Sequence, residues 1–212
     1  MDPQEYLAYF TKQYADKLTV YFNDVLLADA DRLAGFKIIF TELLRRKNRD
    51  FTIIETGCLR YRDGWSDGQS SLLFYEFINL FGGKLITLDI DPVNLDTCRA
   101  VLRESPVQKL RPCEFSPRLG DSLQLLAEID EPADLLYLDS CDITAEQPEL
   151  SMAHHFKELA SAGKILAKSP GLIVVVDDNG PAIGKGRYVL DWAKKTGQRI
   201  ISEGYQIIFQ IV

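Results

Sequence analysis

Residues 199–212 read RIISEGYQIIFQIV, and this stretch decides the fold class. It contains two apolar runs, Arg199–Ser202 and Tyr205–Val212, and each run predicts a β-strand. Only Glu203 and Gly204 separate the two runs. Because a link this short makes the second strand turn back beside the first, the two strands are predicted to form an antiparallel hairpin.

Strand and helix patterns alternate from Asp50 to the start of this hairpin. Strands are predicted at Phe51–Glu55, Leu85–Asp89, Cys113–Leu119, Ala133–Asp139 and Leu172–Asp177. Helices are predicted at Ser70–Phe81, 92–104, Ser122–Ile129, Ala153–Ala167 and Arg187–Thr196. Such alternation predicts a parallel sheet with helices on both faces. With the hairpin added, we predict an α/β fold with a doubly wound, Rossmann-like sheet of seven strands, mostly parallel and antiparallel at its C-terminal end.

The first 50 residues follow a different pattern. Residues 3–48 are predicted to be helical, because apolar side chains recur there at three- and four-residue steps. These positions are Tyr6, Tyr9, Phe10, Tyr14 and Leu18, then Leu33, Phe36, Ile39, Phe40, Leu43 and Leu44. We therefore divide the chain into an N-terminal helical segment, residues 1–50, and a sheet-forming domain, residues 51–212. The aromatic first helix would pack either in a homodimer or over a bound cofactor.

Composition argues against several classes of function. The 212 residues have a net charge of −7, whereas nucleic-acid binding needs a basic surface. No apolar run reaches membrane-spanning length, and the acidic start Met1–Glu5 is unlike a secretory signal. The four cysteines are scattered without a CxxC pair, so we expect reduced thiols. These features predict a cytoplasmic protein and argue against nucleic acid or a membrane as its partner.

Oxygen-bearing side chains follow the predicted strands at the points where those strands end. Asp139 ends one strand, Asp178 and Asn179 follow the next, and Asp89 ends an earlier one. Ligands of open α/β sheets bind just outside these carboxyl ends. If the strands are neighbours, Asp139, Asp178 and Asn179 converge there and suit a hard divalent cation such as Mg²⁺. The alternative is an ordinary turn at Asp178-Asn179-Gly180-Pro181, with Asp139 as a surface acid.

The order of these motifs resembles the class I methyltransferases that use S-adenosyl-L-methionine, over roughly residues 51–212. The segment Lys84–Pro92 is similar to that family's second strand, and the resemblance implies that Asp89 binds the ribose hydroxyls. Leu119–Ser122 is similar to the family's adenine-contacting segment, which implies a contact from Asp121 or from Ser122. Asp89 and Asp121 could each instead be a helix cap, although Asp91 fits the capping role before Pro92 better than Asp89 does.

The metal-binding positions resemble those of the catechol-type O-methyltransferases. In that group a divalent cation holds the substrate hydroxyl beside the methyl donor, and its ligands correspond here to Asp139, Asp178 and Asn179. The resemblance therefore implies Mg²⁺ as a second cofactor. It also implies a methyltransferase that acts on a hydroxyl group of a small molecule.

The loop after the first predicted strand departs from the family pattern. Glu55 and Gly57 are followed by a lengthened loop, Tyr61–Gly68, and then by Ser70, whereas the family usually has a Gly-x-Gly turn. The departure resembles poorly characterised bacterial methyltransferases. Glu55 would either pair with the donor's amino group or order the loop, and Gly57, Ser70 and Asp139 complete the expected donor contacts. The incomplete glycine pattern also argues against a nicotinamide cofactor.

The general base is left open by the sequence. Catechol-type enzymes have a lysine three positions after the first metal aspartate, and this chain has Asp142 there. Asp142, His154 or His155 would take the proton, unless the cation alone acidifies the hydroxyl. The basic segment Gly184–Arg187 would either bind a substrate anion or form a solvated loop.

Two other functions remain open on this evidence. One is a methyltransferase that needs no metal and acts on a sugar or nitrogen acceptor. The other is a non-catalytic module that binds a nucleoside.

Overall fold

The computed structural model describes residues 1–22, 25–65, 69–180 and 184–212, with side chains throughout except at 19–31. The predicted loop Tyr61–Gly68 and the predicted turn ending at Pro181 both extend outside the described residues. The strands are β1 (Thr19–Phe22), β2 (Val25–Asp31), β3 (Phe51–Thr56), β4 (Gly83–Asp89), β5 (Cys113–Leu119), β6 (Leu135–Leu138), β7 (Ile173–Val176), β8 (Arg199–Glu203) and β9 (Ile207–Gln210). The helices are α1 (Pro3–Tyr14), α2 (Arg32–Arg46), α3 (Ser70–Phe81), α4 (Pro92–Arg103), α5 (Ser122–Glu128), α6 (Pro148–Ser161), α7 (Gly163–Lys168) and α8 (Arg187–Lys195).

The central sheet has seven strands in the order β5-β4-β3-β6-β7-β9-β8. Strands β3 to β7 are parallel, and β9 pairs antiparallel with both β7 and β8. The predicted fold class and the C-terminal hairpin are therefore confirmed. Strands β6 and β7 are buried along their whole length, as expected for parallel strands covered on both faces.

The strand order reverses at β3, which has β4 on one side and β6 on the other. Thr56, the last residue of β3, is level with Leu88 and with Leu138. Leu138 is in turn level with Val176. The residues that follow these strands therefore meet at one edge of the sheet, where open α/β folds bind their ligands.

The prediction of continuous helix over residues 3–48 was wrong for 19–31. The structure has an antiparallel pair there, β1 and β2, between helices α1 and α2. The run Thr19-Val20-Tyr21-Phe22 consists of β-branched and aromatic residues, which favour strands over helices. The helix predicted at Ala153–Ala167 is likewise two helices, α6 and α7.

The N-terminal helices pack directly on one face of the sheet. Tyr6 and Phe10 of α1 are buried against Phe40 of α2, with ring centroids 5.4 and 5.0 Å from it. Phe40 stacks in turn on Phe77 of α3 at 4.9 Å. Helices α1 and α2 thus share one hydrophobic core with the sheet. The side chains of Tyr6 and Phe10 therefore pack inside the chain, whereas the sequence predicted that this helix would pack in a homodimer or over a bound cofactor. A second core lies on the opposite face of the sheet, under helices that include α5, α7 and α8.

None of the helices in the described part of the chain is both long and apolar enough to cross a membrane.

Candidate active site

Two adjoining cavities of about 180 and 350 Å³ lie at the carboxyl edge of the sheet. Both are lined by Gly57, Asp89, Ile90, Ser140 and Asp142, so together they form one cleft. The larger cavity extends toward the start of α5, and its further lining includes Gly120, Asp121, Ser122 and His154. The smaller cavity extends toward β7, and its further lining includes Arg32, Arg60, Ser70, Asp139 and Asp178. Most residues predicted for the donor and the catalytic groups therefore line this cleft.

Gly57 forms the tight turn between β3 and the cleft. Its backbone is left-handed, with φ of 76°, and its amide donates a 2.8 Å hydrogen bond to the carbonyl of Leu88. A Cβ atom at this position would lie 2.5 Å from the carbonyl oxygen of Asp139. Glycine is required here both for the backbone angle and for the close approach of the two strand ends.

Asp89 lies at the centre of the cleft, between the two cavities. Its carboxylate accepts hydrogen bonds from the backbone amides of Cys58 at 3.1 Å and Asp91 at 2.8 Å. Asp91 itself caps α4, since it accepts a 2.8 Å hydrogen bond from the amide of Val93. The capping role thus belongs to Asp91, as expected. This leaves Asp89 as an oriented carboxylate facing the cleft, in the position predicted for ribose recognition.

Glu55 is fully buried beneath the cleft and lines neither cavity. It accepts hydrogen bonds from the hydroxyls of Thr87 at 2.7 Å and Ser70 at 3.1 Å. Burial raises the pKa of Glu55 to about 7, against the opposing effect of hydroxyl hydrogen bonds that include these two. Of the two predicted roles, this geometry supports the ordering of the loop, because Glu55 ties strands β3 and β4 to the start of α3.

Asp121 and Ser122 lie at the start of α5, in the wall of the larger cavity. Asp121 is the helix cap and accepts a 2.8 Å hydrogen bond from the amide of Leu123. Ser122 is nearly buried, and its hydroxyl lies 3.4 Å from Nε2 of His154. The capping reading of Asp121 is thus confirmed, and an adenine contact from Asp121 or Ser122 remains a prediction.

The two histidines lie on α6 in different surroundings. His154 reaches the larger cavity, where its Nε2 is 3.0 Å from the hydroxyl of Ser140. A hydrogen bond to the buried Glu158 raises the pKa of His154. His155 is buried away from the cleft, its Nδ1 donates to the carbonyl of Ser151 at 2.7 Å, and burial lowers its pKa to about 4. The structure therefore brings only His154 to the cleft, and Glu158 is a buried partner that the sequence analysis missed.

Asp142 lies on the rim of the cleft and pairs with Arg60 of the opposite loop at 2.8 Å. Its side chain is 62% exposed. This ion pair links the loop after β3 with the loop after β6. The carboxylate of Asp142 is therefore already paired with Arg60, and it could accept a substrate proton only while it keeps this ion pair or after it breaks it. Arg60 was not identified from the sequence, because nothing in its neighbourhood indicates a partner 82 positions away.

Asp139 and Asp178 are held together by the side chain of Lys185. The ammonium nitrogen lies 2.5 Å from Oδ1 of Asp139 and 2.7 Å from Oδ2 of Asp178. Lys185 is buried, with 1% of its side chain exposed, whereas 19% of Asp139 and 29% of Asp178 are exposed. The lysine thus lies behind the two carboxylates, which face the cleft. The predicted role of Gly184–Arg187 in binding a substrate anion was wrong for Lys185, because the ammonium is directed into the protein.

Arg32 adds a second buried cation to this cluster. Its guanidinium lies 3.0 Å from Asp178 and 3.4 Å from Asp177. Tyr205 donates a short hydrogen bond to Asp178, and the hydroxyl of Tyr137 donates to Asp177 at 2.7 Å. Arg32 is the first residue of α2. The N-terminal segment therefore contributes directly to the site through Arg32, a residue that was not identified from the sequence.

The pKa values of the two carboxylates are displaced in opposite directions. Burial raises the pKa of Asp139 well above its ordinary value, although Lys185 opposes the shift. Burial acts in the same sense on Asp178, but Lys185 and Arg32 together hold its pKa below the ordinary value. Burial would lower the pKa of Lys185, yet its two carboxylate partners raise it, so the lysine stays protonated.

The predicted divalent cation does not fit the residues present. Lys185 already bridges Asp139 and Asp178, and the third proposed ligand, Asn179, uses its side chain elsewhere. The Asn179 oxygen accepts a 2.7 Å hydrogen bond from the amide of Gly186, and its nitrogen donates to the carbonyl of Val176 at 2.8 Å. Within the described ranges, no group of three or more His, Cys, Asp or Glu residues could hold a metal ion. The metal assignment of Asp139, Asp178 and Asn179 is therefore corrected.

Comparison with known proteins agrees with this architecture. No protein-family model matches the chain, and no curated protein sequence matches it. Monomeric WbdD is similar with a TM-score of 0.52 at 16% identity, over 98% of this chain and 48% of the WbdD chain. This chain thus spans about half the length of WbdD.

Two further solved structures match this chain over most of their own length. The SAH-bound methyltransferase PaMTH1 of Podospora anserina has a TM-score of 0.52 at 16% identity, over 98% of this chain and 86% of its own. A SAM-dependent methyltransferase from Methanosarcina mazei has a TM-score of 0.50 at 12% identity, over 79% of this chain and 95% of its own. At such identities the likeness establishes the fold. The fold is that of the class I methyltransferases, as the sequence resemblance implied.

Proposed function

We propose that this protein transfers a methyl group from S-adenosyl-L-methionine to a hydroxyl group of a small molecule. The observation that supports this best is the placement of three carboxylates on one cleft of a class I methyltransferase fold. Asp89 ends strand β4, Asp139 and Asp178 follow strands β6 and β7, and all three line the smaller cavity. This arrangement supplies a group for the donor's ribose beside groups for a polar acceptor.

The donor would lie across both cavities. Its adenosine would occupy the larger cavity, with the ribose hydroxyls on Asp89 and the adenine near Asp121 and Ser122. Its methionine portion would extend past Gly57 and Ser70 into the smaller cavity. The sulfonium methyl group would then lie near Asp139 and Asp178, where the cleft is lined by charged residues.

The reaction needs an acceptor oxygen aligned with the sulfonium methyl group. The oxygen attacks the methyl carbon, the carbon–sulfur bond breaks with its electrons going to sulfur, and S-adenosylhomocysteine leaves. The hydroxyl proton passes to the carboxylate of Asp139, which faces the cleft. No divalent cation enters this scheme, because Lys185 occupies the position between the carboxylates that a cation would need.

A label-transfer experiment tests this function. Purified protein is incubated with methyl-labelled S-adenosylmethionine and a panel of phenols, alcohols, sugars and amines, and products are identified by mass spectrometry. The proposal expects label on a hydroxyl oxygen, from wild type but not from Asp139→Asn. Transfer only to amines would favour a nitrogen methyltransferase. Donor binding without transfer to any acceptor would favour a non-catalytic nucleoside-binding module.

A further inference from the structure

The loop that presents Lys185 is built to hold the ammonium between Asp139 and Asp178. The amide of Gly186 donates to Oδ1 of Asn179, and Asn179 forms an isolated β-bridge with Gly184. A Cβ atom on Gly184 would lie 2.7 Å from Oδ1 of Asn179, and one on Gly186 would lie 2.6 Å from Cδ1 of Ile207. At Gly184 the Cα atom of Asn179 would also lie only 3.0 Å away, so glycine permits the tight approach of this loop to the end of β7.

The backbone of Asp178 also takes part in holding Lys185. Asp178 has a left-handed conformation with φ of 56°, which is uncommon outside glycine but is adopted by aspartate more readily than by most residues. Its carbonyl accepts a 3.3 Å hydrogen bond from the amide of Lys185. Backbone and side chain of Lys185 thus both bind Asp178, and the same aspartate faces the cleft.

The charge of the cluster matches what a divalent ion would supply. Lys185 and Arg32 bring two positive charges to Asp139, Asp177 and Asp178. A hard divalent ion in proteins is commonly bound through one or two carboxylates and completed by water. Here the two carboxylates that face the cleft are joined by an ammonium group instead, at hydrogen-bonding distance from each.

We propose that Lys185 is a built-in cation that takes the place of a divalent metal ion in this cleft. It fixes the relative position of Asp139 and Asp178 and is shielded from the cleft by them, so it is a positioning residue. Removal of its side chain should leave two adjacent carboxylates that are able to bind a metal ion. The catalytic consequence rests on the proposed function, whereas the effect on metal binding follows from the geometry alone.

Manganese binding tests this inference without an acceptor. Mn²⁺ is titrated into full-length wild type, Lys185→Ala and Lys185→Arg, and bound ion is measured by electron paramagnetic resonance. We expect Lys185→Ala to bind one Mn²⁺ at least tenfold more tightly than wild type or Lys185→Arg. Mn²⁺ should also raise the melting temperature of Lys185→Ala alone, because a ligand stabilises the state that binds it. The double variant Lys185→Ala/Asp139→Asn should lose both effects.

Folded Lys185→Ala that binds Mn²⁺ no better than wild type would overturn the inference, and so would Asp139-dependent Mn²⁺ binding by wild type. If Lys185→Ala folds only with Mn²⁺ present, that result supports it. If Lys185→Ala does not fold at all, the test is made on wild type. Binding of Mn²⁺ by wild type that disappears in Asp139→Asn would contradict the inference, and absence of Mn²⁺ binding by wild type would support it. Failure of methyl transfer in the acceptor panel would leave these binding results unchanged, so the two proposals fail separately.

Discussion

Three aspartates on one edge of the sheet differ in their surroundings, and the differences separate their roles. Asp89 accepts backbone amide hydrogen bonds that hold it still in the middle of the cleft. Asp178 is paired with both Lys185 and Arg32, so its charge is neutralised by the protein. Among the residues that the structure describes, Asp139 has a single cationic partner, Lys185, and it lines the smaller cavity. Asp139 is therefore the carboxylate best placed to receive a proton from an acceptor.

Replacement of Asp139 should affect turnover more than donor binding. Asp139→Asn keeps the size of the side chain but removes its basic carboxylate, so kcat should fall by roughly 10²–10⁴, the usual contribution of a general base. His154→Ala should lose less than about a hundredfold, since His154 is engaged with Ser140 and Glu158. Steady-state kinetics on both variants, with donor affinity measured by calorimetry, provides the check. A histidine variant as inactive as Asp139→Asn, with donor binding intact, would make that histidine the base.

Glu55 should make the stability of the protein depend on pH in a defined window. Its pKa is about 7 in the folded protein against an ordinary value of 4.5. The folded state therefore binds this proton more tightly, and the stability it contributes is complete below pH 4.5 and lost as the pH rises to about 7. Glu55→Gln has no carboxyl group to ionise and therefore does not lose this stability. As the pH rises from 4.5 to about 7, its free energy of unfolding should increase relative to that of wild type by up to about 3 kcal/mol.

Urea denaturation of wild type and Glu55→Gln at pH values from 4.5 to 7.5, without donor, measures this difference. Other titrating groups are common to both proteins, so their contributions cancel in the comparison. Glu128→Gln, at an exposed position of α5, is the matched control for removal of a carboxylate. A difference between wild type and Glu55→Gln that stays constant with pH would show that Glu55 is not held as a buried carboxyl group.

At the scale of secondary structure, the elements that the sequence predicted well have strong local patterns. The apolar runs of β6 and β7 predicted their burial, and the two-residue link Glu203-Gly204 predicted the β8–β9 hairpin. The strands β1 and β2 were missed because spaced apolar residues before and after them favoured one continuous helical reading. Local pattern is informative where burial is uniform, and it fails where a short strand pair interrupts two amphipathic helices.

The candidate site divides in the same way. The positions of Asp89, Asp139 and Asp178 follow from strand ends, which the sequence reveals. The partners Lys185, Arg32 and Glu158 are joined to the site by contacts between distant segments, such as the 46 positions between Asp139 and Lys185. A single sequence contains no signal for such pairs, apart from the two glycines that flank Lys185 and indicate a tight turn.

Helix α1 is expected to be part of the cooperative fold. Phe10 is 1% exposed and lies 5.0 Å from Phe40 and 6.4 Å from Phe36, between ring centroids. Phe10→Ala should lower the free energy of unfolding by about 3–5 kcal/mol, the usual cost of removing a buried phenylalanine side chain. Chemical denaturation measures it, and Phe156→Ala on α6, where the ring is 37% exposed, is the control. A loss below about 1 kcal/mol at Phe10 would mean that α1 is not packed as described.

At the scale of the whole molecule, the cleft is assembled from both parts of the chain. The sheet supplies Asp89, Asp139 and Asp178 from its carboxyl edge, and the start of α2 supplies Arg32. The division into residues 1–50 and 51–212 remains a prediction from sequence. The shared core and the position of Arg32 indicate that both parts are needed for a complete cleft.

The measurement that tests the central claim most directly is a calorimetric titration of S-adenosylhomocysteine into wild type and Asp89→Asn. We predict binding of one molecule per chain to wild type and an affinity at least about tenfold lower for Asp89→Asn, because charge-assisted hydrogen bonds contribute about 1.5–3 kcal/mol each. Asp91→Asn, which alters only the cap of α4, should bind like wild type. Absence of binding to wild type, or equal affinity of wild type and Asp89→Asn, would contradict the assignment of this cleft to the methyl donor.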